Sequence, residues 1–503
     1  MLQLYIALAV VAICIYFKWT LSYWTRKKVE APPPLPIVGN MGEMIIQKKH
    51  YGEVYNEIYR SYPTAKYVGI YKMGTPAVLV RDLDLVRDVL VANFAHFHDN
   101  DFEINTTLDP LLANNPFTAR GTEWKNIRNQ VSPLFTTAKV RACFNIMKEV
   151  GDTLLEYLDS SPEINRSEGV DIKKVMTKFT TDVVASTVFG VKAHAFVDPN
   201  SEFVQMSREF FVPSFLGAIK GMIAFFAPKI ATILRISFVT ENLDRRLRNL
   251  IRQLMASREA NDKNARKDFV QAFVELKKKD QENRITEDLI VGQAVTFITD
   301  GTETSATVMT YTLYELARNP EVQKKVQDEI DRVIEENGQM TDEGIMQLDL
   351  LDRCIHENLR LHSVVFNMTR ICTKPFELPQ QFPNEGQPVT ISAGTPIIIP
   401  MSAIHMDPNH YDKPHIFDPD RFLDEKKLER NRYAFLGFGE GPRICIGMRF
   451  GLFQVKVALY TLLSNYNIKL APKQKVPPEI SVQSFLLAPK NGIWLTLEKR
   501  QKS

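Results

Sequence analysis

The chain has 503 residues, of which 45% are hydrophobic and 24% are charged, and this ordinary globular composition excludes extensive disorder. Its formal net charge of +3 is nearly neutral for that length, so charge gives no support to nucleic-acid binding. The five cysteines are odd in number and widely spaced, which argues against a disulfide framework or a zinc cluster.

The N-terminus is an apolar stretch that only Lys18 interrupts before Trp24. A membrane-spanning helix needs roughly 20 residues, and this stretch reaches that length if the Lys18 side chain extends to the membrane surface. Basic residues follow the apolar run at positions 26–28, the order of an uncleaved signal anchor that leaves the next domain on the cytosolic side. A buried core helix is the alternative.

The remaining pattern predicts one large domain. We expect a signal-anchor helix at 1–25, a basic and proline-rich hinge at 26–40 and a single domain at 41–503, because no linker divides the chain beyond residue 40. The fold class is α+β and predominantly α-helical, with a minor sheet segregated from the helices. Apolar spacing predicts a long, largely helical region at Asp82–Leu361 and a last long helix at Gly447–Asn465. It also predicts β-like runs at Ala65–Tyr71, Ala77–Val80, Val389–Ile399 and Ser481–Leu497.

The segment Phe210–Phe238 is unusually aromatic. Pro213 and Pro228 interrupt it, so it is not one spanning helix. Two interpretations stay open: the segment belongs to the core, or it is an aromatic surface that rests in the membrane interface beside the anchor.

The most specific signal is the string from Phe438 to Gly447, which reads FGEGPRICIG. Its glycines permit tight turns and the close approach of a flat cofactor to the backbone. Cys445 precedes a helical stretch, so backbone N–H groups and the positive helix end favour a thiolate, and Arg443 adds a nearby cation. A glycine-rich turn with a buried cysteine is the alternative for a shorter match.

This string resembles the haem-binding signature of the cytochrome P-450 family, F-x-x-G-x-R-x-C-x-G, in every fixed position. The resemblance implies a haem-thiolate monooxygenase that holds haem b (iron protoporphyrin IX), with Cys445 as the iron ligand and Phe438 beside the cofactor. A thiolate ligand pushes electron density onto iron and favours O–O cleavage. Pro442 and the residues after Gly447 resemble the insect microsomal branch that oxidises foreign compounds.

A second family motif lies at Glu357–Arg360. Glutamate and arginine three residues apart often form only a surface pair, and the same spacing recurs at Glu57 and Arg60. The position of the motif before Cys445 distinguishes this copy. The resemblance implies that Glu357, Arg360 and Arg421 form a buried charge triad behind the haem.

The helix-like stretch around Asp300–Ser305 matches a third motif. The resemblance makes Glu303 and Thr304 the catalytic acid and alcohol that help to deliver protons to bound dioxygen at a helix kink above the iron. Asp300 departs from the family pattern, where Ala or Gly is usual. We expect it to contact a basic or hydroxylated substrate, to form an ester with the haem, or to face away and be hydrated.

Four further side chains are expected at the haem propionates. Trp124 and Arg128 are four residues apart and share a helix face, as in the family's W-x-x-x-R motif. Arg370 and Arg443 resemble the other propionate-binding arginines, since a guanidinium pairs with carboxylates in a bidentate manner. Each of them alone would more often be a solvated surface residue.

The implied reaction inserts one oxygen atom from O2 into a lipophilic substrate, with electrons from an NADPH-cytochrome reductase and a contribution from cytochrome b5 as a further partner. No dinucleotide fingerprint is apparent in the chain. A basic run at 426–432 either meets an acidic partner or is a solvated loop. We expect the endoplasmic reticulum membrane as the location, with the catalytic domain on the cytosolic face.

Substrate contacts are expected from four largely apolar regions, at Phe94–Phe117, Phe297–Thr304, Val364–Met368 and Ser484–Leu487. An apolar pocket favours hydrophobic substrates without naming one. Oxidation of xenobiotics such as plant toxins and insecticides is the leading function. The alternatives are oxidation of an endogenous hormone, steroid or fatty acid, and a non-oxidative haem-thiolate isomerase or ligand-binding protein.

Overall fold

The computed structural model describes residues 1–501 except 163–167, 199, 212–214, 227, 261–267, 281–283 and 382–387. Helices make up most of the described chain. Their bounds are α1 Leu2–Leu21, α2 Tyr23–Arg26, α3 Gly42–Ile45, α4 Tyr51–Ser61, α5 Leu83–Arg87, α6 Pro110–Ala113, α7 Gly121–Val131, α8 Thr137–Arg141, α9 Phe144–Ser160, α10 Ile172–Val184, α11 Glu202–Phe211, α12 Phe215–Phe226, α13 Pro228–Ile233, α14 Glu241–Ala260, α15 Phe269–Lys279, α16 Glu287–Arg318, α17 Pro320–Asn337, α18 Asp342–Gln347, α19 Asp349–Leu361, α20 Met401–His405, α21 Asp424–Glu429 and α22 Met448–Leu463.

Nine short strands form three small sheets in the described chain. They are β1 Tyr67–Lys72, β2 Thr75–Val80, β3 Val170–Asp171, β4 Met368–Ile371, β5 Phe376–Leu378, β6 Val389–Ile391, β7 Pro396–Ile399, β8 Tyr466–Leu470 and β9 Trp494–Lys499. The largest sheet has the order β1-β2-β7-β4, in which only β2 and β7 are parallel, and the others have the orders β3-β9-β8 and β5-β6. The α+β, mainly helical fold class is therefore confirmed.

The long helix α16 organises the domain. The side chain of Thr286 caps its first turn by accepting the Leu289 N–H, and the helix then runs for 32 residues without interruption. It packs against α6, α10, α19 and α22. Because it is covered on several faces, its apolar residues follow no single stripe, and polar side chains on it stand out as groups that need a reason to be there.

The N-terminal helix α1 buries none of its side chains against the rest of the chain. Within the described residues it is the one helix that is long and apolar enough to cross a membrane. Trp24, in contrast, is fully buried, and its indole N–H donates to the Ile70 carbonyl at 2.9 Å. A Cβ on Gly69 would lie 2.4 Å from the Trp24 ring, so this glycine makes room for it. The expected anchor at 1–25 therefore overlaps the folded domain at Trp24.

Most predicted elements appear close to their expected bounds. The first two β-like runs are β1 and β2, the third divides into β6 and β7, and the last long helix is α22. The prediction for Ser481–Leu497 is only partly right. That stretch begins as a turn whose ends meet at an isolated bridge between Ile480 and Pro489, and only its end belongs to β9.

The aromatic segment Phe210–Phe238 contains both buried and outward-facing apolar side chains. It is not one helix, and Pro228 begins α13; Pro213 lies outside the described residues. Phe226 is buried, whereas the side chains of Ile233 and Leu234 are 78% and 59% exposed. One face of the segment therefore belongs to the interior, and the other presents apolar side chains outward.

Candidate active site

A large cavity lies between α16 and the loop that carries Cys445. Its volume is about 1630 Å³, and its lining is mostly apolar. All four of the expected substrate-contact regions contribute to the wall, through Phe117, Phe297, Val364 and Phe485 among others. The structure thus brings together segments that are hundreds of residues apart in sequence.

The loop before α22 presents Cys445 on the cavity wall. Gly439 and Gly441 have φ of +75° and +76°, a conformation that other residues rarely adopt. A Cβ on Gly441 would lie 2.1 Å from the Leu90 carbonyl oxygen, so the chain is also too close there for any side chain. The Cys445 N–H donates to the Phe438 carbonyl at 2.9 Å, which fixes the loop as a closed turn.

The Cys445 thiol is surrounded by protein but open to the cavity. Burial raises its pKa, and the Asp300 carboxylate raises it further, whereas the Gly447 N–H and Arg128 lower it. The opposing effects place a carboxylate and a guanidinium within electrostatic reach of the same sulfur. Coordination to a metal ion would release the thiol proton.

Three arginines, Arg128, Arg370 and Arg443, line the cavity near Cys445, and Arg120 lies within electrostatic reach of Arg443. Burial lowers the pKa of Arg443 to about 9, and the charges of Arg370, Arg128 and Arg120 lower it too. Arg443 lies over the Trp124 ring, 4.3 Å from its centroid, so the structure brings the expected tryptophan and arginines together. Its three nitrogens donate to the carbonyls of His98, Pro116 and Ala119.

Arg370 is the clearest sign that this cluster has a missing partner. It is buried, and burial lowers its pKa to about 10. One terminal nitrogen donates to Asn100 and to the Thr369 carbonyl, but Nε and the other terminal nitrogen have no partner in the described structure. Unpaired buried charge is costly, and a group with two carboxylates would compensate it. A flat dicarboxylate such as haem fits this donor set.

Glu303 and Thr304 lie on α16 but point in different directions. The Glu303 carboxylate forms an ion pair with Lys173 of α10 at 2.8 Å, and Lys173 also donates to Thr307 at 2.9 Å. The Thr304 hydroxyl donates to the Asp300 carbonyl one turn earlier. Both residues line the cavity. The acid is thus held at the boundary between two helices, next to the alcohol.

Asp300 shares the cavity face of α16 with Thr304, one helical turn away. Its carboxylate accepts the Thr299 hydroxyl at 2.9 Å and a hydrogen bond from the Asn115 side chain. Burial raises its pKa to about 6, although these two bonds lower it. The expectation that Asp300 faces away from the cavity is therefore wrong, because its side chain is part of the cavity lining.

The predicted triad is present away from the cavity. Arg360 contacts Glu357 through two nitrogens, at 2.8 and 2.7 Å, and both side chains are fully buried. Arg421 approaches the same carboxylate at 3.3 Å. Burial raises the pKa of Glu357, and the two arginines lower it. The triad ties α19 to the chain that leads to the Cys445 loop.

The basic run at 426–432 is only partly free. Arg430 lies over the Tyr411 and Phe422 rings, and Arg432 pairs with Glu440 at 2.8 Å. Arg430 is thus a structural residue, Lys427 pairs with Asp424 at 3.1 Å, and Lys426 is exposed. Both lysines precede the Cys445 loop in the sequence.

Several site residues were not predicted from the sequence. Lys173, Asn100, Asn115 and Arg120 each hold or face a group that was predicted. A lone lysine or asparagine has no local sequence signal when its partner is distant in the chain. Lys173 and Glu303, for example, are more than a hundred residues apart. Arg120 comes just before the Trp124 motif, and its position was the one available hint.

Comparisons with known proteins agree with this geometry. The family model described as Cytochrome P450 matches residues 29–496. Cytochrome P450 6k1 of Blattella germanica is 32% identical, over 98% of this chain and 96% of its own length. Probable cytochrome P450 308a1 of Drosophila melanogaster is 34% identical over the whole of both chains, and probable cytochrome P450 6d5 of the same organism is 32% identical over the whole of both.

Proposed function

The chain belongs to the cytochrome P450 family and is a haem-thiolate monooxygenase, and from that premise we propose that it oxidises lipophilic foreign compounds such as plant toxins and insecticides. The observation that carries the proposal is the large, mostly apolar cavity that opens onto Cys445. A pocket with few polar fixtures selects substrates by hydrophobicity more than by shape. Resemblance to insect relatives supports the same direction.

The residues around the cavity floor fit haem b. Cys445 would bind the iron, and Trp124, Arg128, Arg370 and Arg443 would hold the propionates, with Phe438 behind the sulfur. Bound haem supplies activation of dioxygen and transfer of one oxygen atom to the substrate. The two unpartnered nitrogens of Arg370 support this assignment, because they point to an anionic partner.

Proton delivery is assigned to Glu303 and Thr304. The Glu303 carboxylate is 14% exposed and paired with Lys173, so it can exchange protons with water at the edge of the cavity. The Thr304 hydroxyl, on the next residue of α16, has the Asp300 carbonyl as its resting acceptor and lines the cavity. Lys173 holds the acid in place and keeps it oriented between α10 and α16.

Electrons reach the site from outside the chain in this proposal, from an NADPH-dependent flavoprotein reductase, with cytochrome b5 as a second donor. The surface next to the Cys445 loop carries Lys426 and Lys427 on α21, and this surface suits an acidic partner. The apolar helix α1 supports attachment to the endoplasmic reticulum membrane, with the basic residues after it on the cytosolic side.

Turnover on a substrate panel tests the proposed role. The full-length protein is combined with NADPH and a microsomal reductase and offered plant toxins, insecticides and hormone precursors. We expect product formation and NADPH consumption with several chemically unrelated foreign compounds. Selective, efficient turnover of one hormone precursor would replace the proposal with an endogenous role. Absence of reductase-dependent NADPH consumption with every compound would favour a non-oxidative function.

A further inference from the structure

Asp300 is a carboxylate on the part of the cavity wall that α16 forms. It is the first residue of a turn on α16 that ends with Thr304, and it lines the same cavity as Cys445. A ligand that fills this cavity in front of Cys445 therefore also meets the wall that carries Asp300.

Asp300 has no cationic partner among the described residues. Its hydrogen-bond partners, Thr299 and Asn115, are both neutral. Lys173 on α10 is paired with Glu303 at 2.8 Å. Arg443 on the cavity floor donates to three carbonyls and lies 3.5 Å from Asp99.

A carboxylate whose hydrogen-bond partners are all neutral keeps an uncompensated negative charge toward the cavity. Glu303 on the same helix shows the contrast. It is also a cavity carboxylate, but Lys173 neutralises it. The missing counter-charge of Asp300 is therefore the feature that needs an occupant, and the open side of its carboxylate faces the cavity.

We infer that Asp300 is a specificity-determining residue that selects lipophilic substrates carrying a positively charged nitrogen. The apolar wall takes the hydrocarbon part of such a ligand, and the Asp300 carboxylate takes the cation. Thr299 and Asn115 orient the carboxylate from behind, which leaves its charge available to the ligand. The inference rests on the proposed function only in taking this cavity as the substrate site.

A cation suits the site better than the two other expected partners of Asp300. A hydroxylated ligand would add a third neutral hydrogen bond and leave the charge uncompensated. An ester with the haem would consume the carboxylate, and the aspartate side chain has one methylene fewer than the glutamate that forms such esters elsewhere in the family. Only a cation compensates the charge of the carboxylate without a covalent step.

Binding of a matched pair of ligands tests the inference without turnover. Benzyltrimethylammonium and neopentylbenzene have the same shape and differ by one charge, and the quaternary nitrogen has no lone pair with which to bind iron. Their dissociation constants are measured by equilibrium dialysis with the haem-loaded, full-length protein. We expect Asp300→Asn to weaken binding of the cation by on the order of tenfold or more and to leave the hydrocarbon unchanged.

Two controls keep the result specific. Glu209→Gln removes another carboxylate from the cavity lining, one that lies near Arg246 at 3.6 Å, and should leave the ratio of the two dissociation constants as it is. Asp300→Ser serves as a second neutral variant if Asp300→Asn does not load haem.

Three results would overturn the inference: an unchanged ratio in both neutral variants, an equal change in Glu209→Gln, or haem that acid–organic solvent does not extract from the wild-type protein. The last result would show that the Asp300 carboxylate forms an ester with the haem. Failure of the proposed function is distinguishable, because binding requires neither reductase nor oxygen. A protein that prefers the cation but oxidises no foreign compound would keep this inference and lose the proposed function.

Discussion

The cofactor assignment depends most on two residues, Arg370 and Cys445. Arg370 is buried with two nitrogens that lack a partner in the described structure. Cys445 shares the cavity with it. In a protein without a cofactor, such an arginine lowers stability, because its charge is desolvated and only partly compensated. Its presence is understandable when an anion completes the site.

Arg370→Met is therefore expected to have opposite effects on two quantities. Haem affinity should fall by about tenfold or more, because hydrogen bonds to a charged group contribute roughly 1.5–3 kcal/mol. The free energy of unfolding of the haem-free protein should stay the same or rise. Haem transfer to an acceptor protein and denaturant unfolding measure the two quantities. Arg449→Met, at an exposed arginine on α22, is the matched control and should change neither.

A second prediction concerns Asp300 and pH. Burial raises its pKa to about 6 from an ordinary value of 3.8, so the folded state binds the proton more tightly than the unfolded state. The carboxylate then lowers stability above pH 6, and this loss disappears as the pH falls toward 4. Asp300→Asn should raise the unfolding midpoint of the ligand-free protein at pH 8, with a gain that fades between pH 6 and 4. A gain that is equal at both ends would contradict the burial of this carboxylate.

Among the single residues of the site, those that belong to continuous sequence motifs were predicted, and those outside such motifs were not. Cys445 and Arg443 stand in one continuous motif, so their type and spacing were enough. Lys173 and Asn115 act through partners on distant elements, and only the packing of α10 and of the loop after α6 against α16 brings them together. The motif around Asp300 predicted an exceptional residue at that position, but the neutral partners of its carboxylate were not predictable.

At the level of helices and strands, the triad of Glu357, Arg360 and Arg421 joins α19 to the chain that precedes the Cys445 loop. Glu357 accepts two bonds from Arg360 and approaches Arg421, and it also accepts the Asp418 N–H at 3.0 Å. These contacts cross from a helix to an extended segment that has little regular structure. Side-chain contacts of the triad therefore connect the two segments, where a sheet would connect them by backbone hydrogen bonds.

Glu357→Gln should lower the free energy of unfolding by about 3–5 kcal/mol, because it leaves a buried arginine uncompensated. Glu57→Gln is a matched control with the same Glu-x-x-Arg spacing, since Glu57 is 47% exposed and pairs with Lys49 at the surface. That variant should change stability by less than about 0.5 kcal/mol. Denaturant unfolding of the two variants in parallel measures the difference, and equal effects would show that the triad is not what holds the junction.

The helices and the first strands were predictable because their apolar spacing is regular over a sufficient length. The short strands β3, β4, β5 and β8 were not predicted. β3 has only two residues, and it exists because β9, more than three hundred residues later, pairs with it. Such strands are set by tertiary contacts, and periodicity over two or three residues contains no usable signal.

For the molecule as a whole, two groups of outward-facing apolar side chains bear on contact with a membrane. Most side chains of helix α1 are exposed, and Ile233 and Leu234 at the end of α13 are exposed as well. We refer to these last two residues as the α13 tip. An apolar surface of this kind suits partial insertion into a bilayer next to an anchor.

A protein that lacks residues 1–21 should still bind phospholipid vesicles through the α13 tip. Changing both Ile233 and Leu234 to Glu in that protein should abolish most of the remaining binding in a vesicle co-sedimentation assay. Leu428→Glu is the matched control, because Leu428 is 88% exposed but lies on α21 beside the Cys445 loop. Equal losses in both proteins would show that the α13 tip has no particular contact with the membrane.

The assignment of this protein as a haem-thiolate monooxygenase depends on one bond, between the Cys445 sulfur and the iron of a haem. The measurement that tests it most directly is the absorption spectrum of the purified, reduced protein with carbon monoxide bound. A strongly red-shifted Soret band, which a thiolate ligand produces, is the predicted result, and Cys445→Ser should abolish it while Cys143→Ser, Cys354→Ser and Cys372→Ser keep it. A Soret band at the position of ordinary haem proteins, or a shifted band that survives Cys445→Ser, would contradict the account.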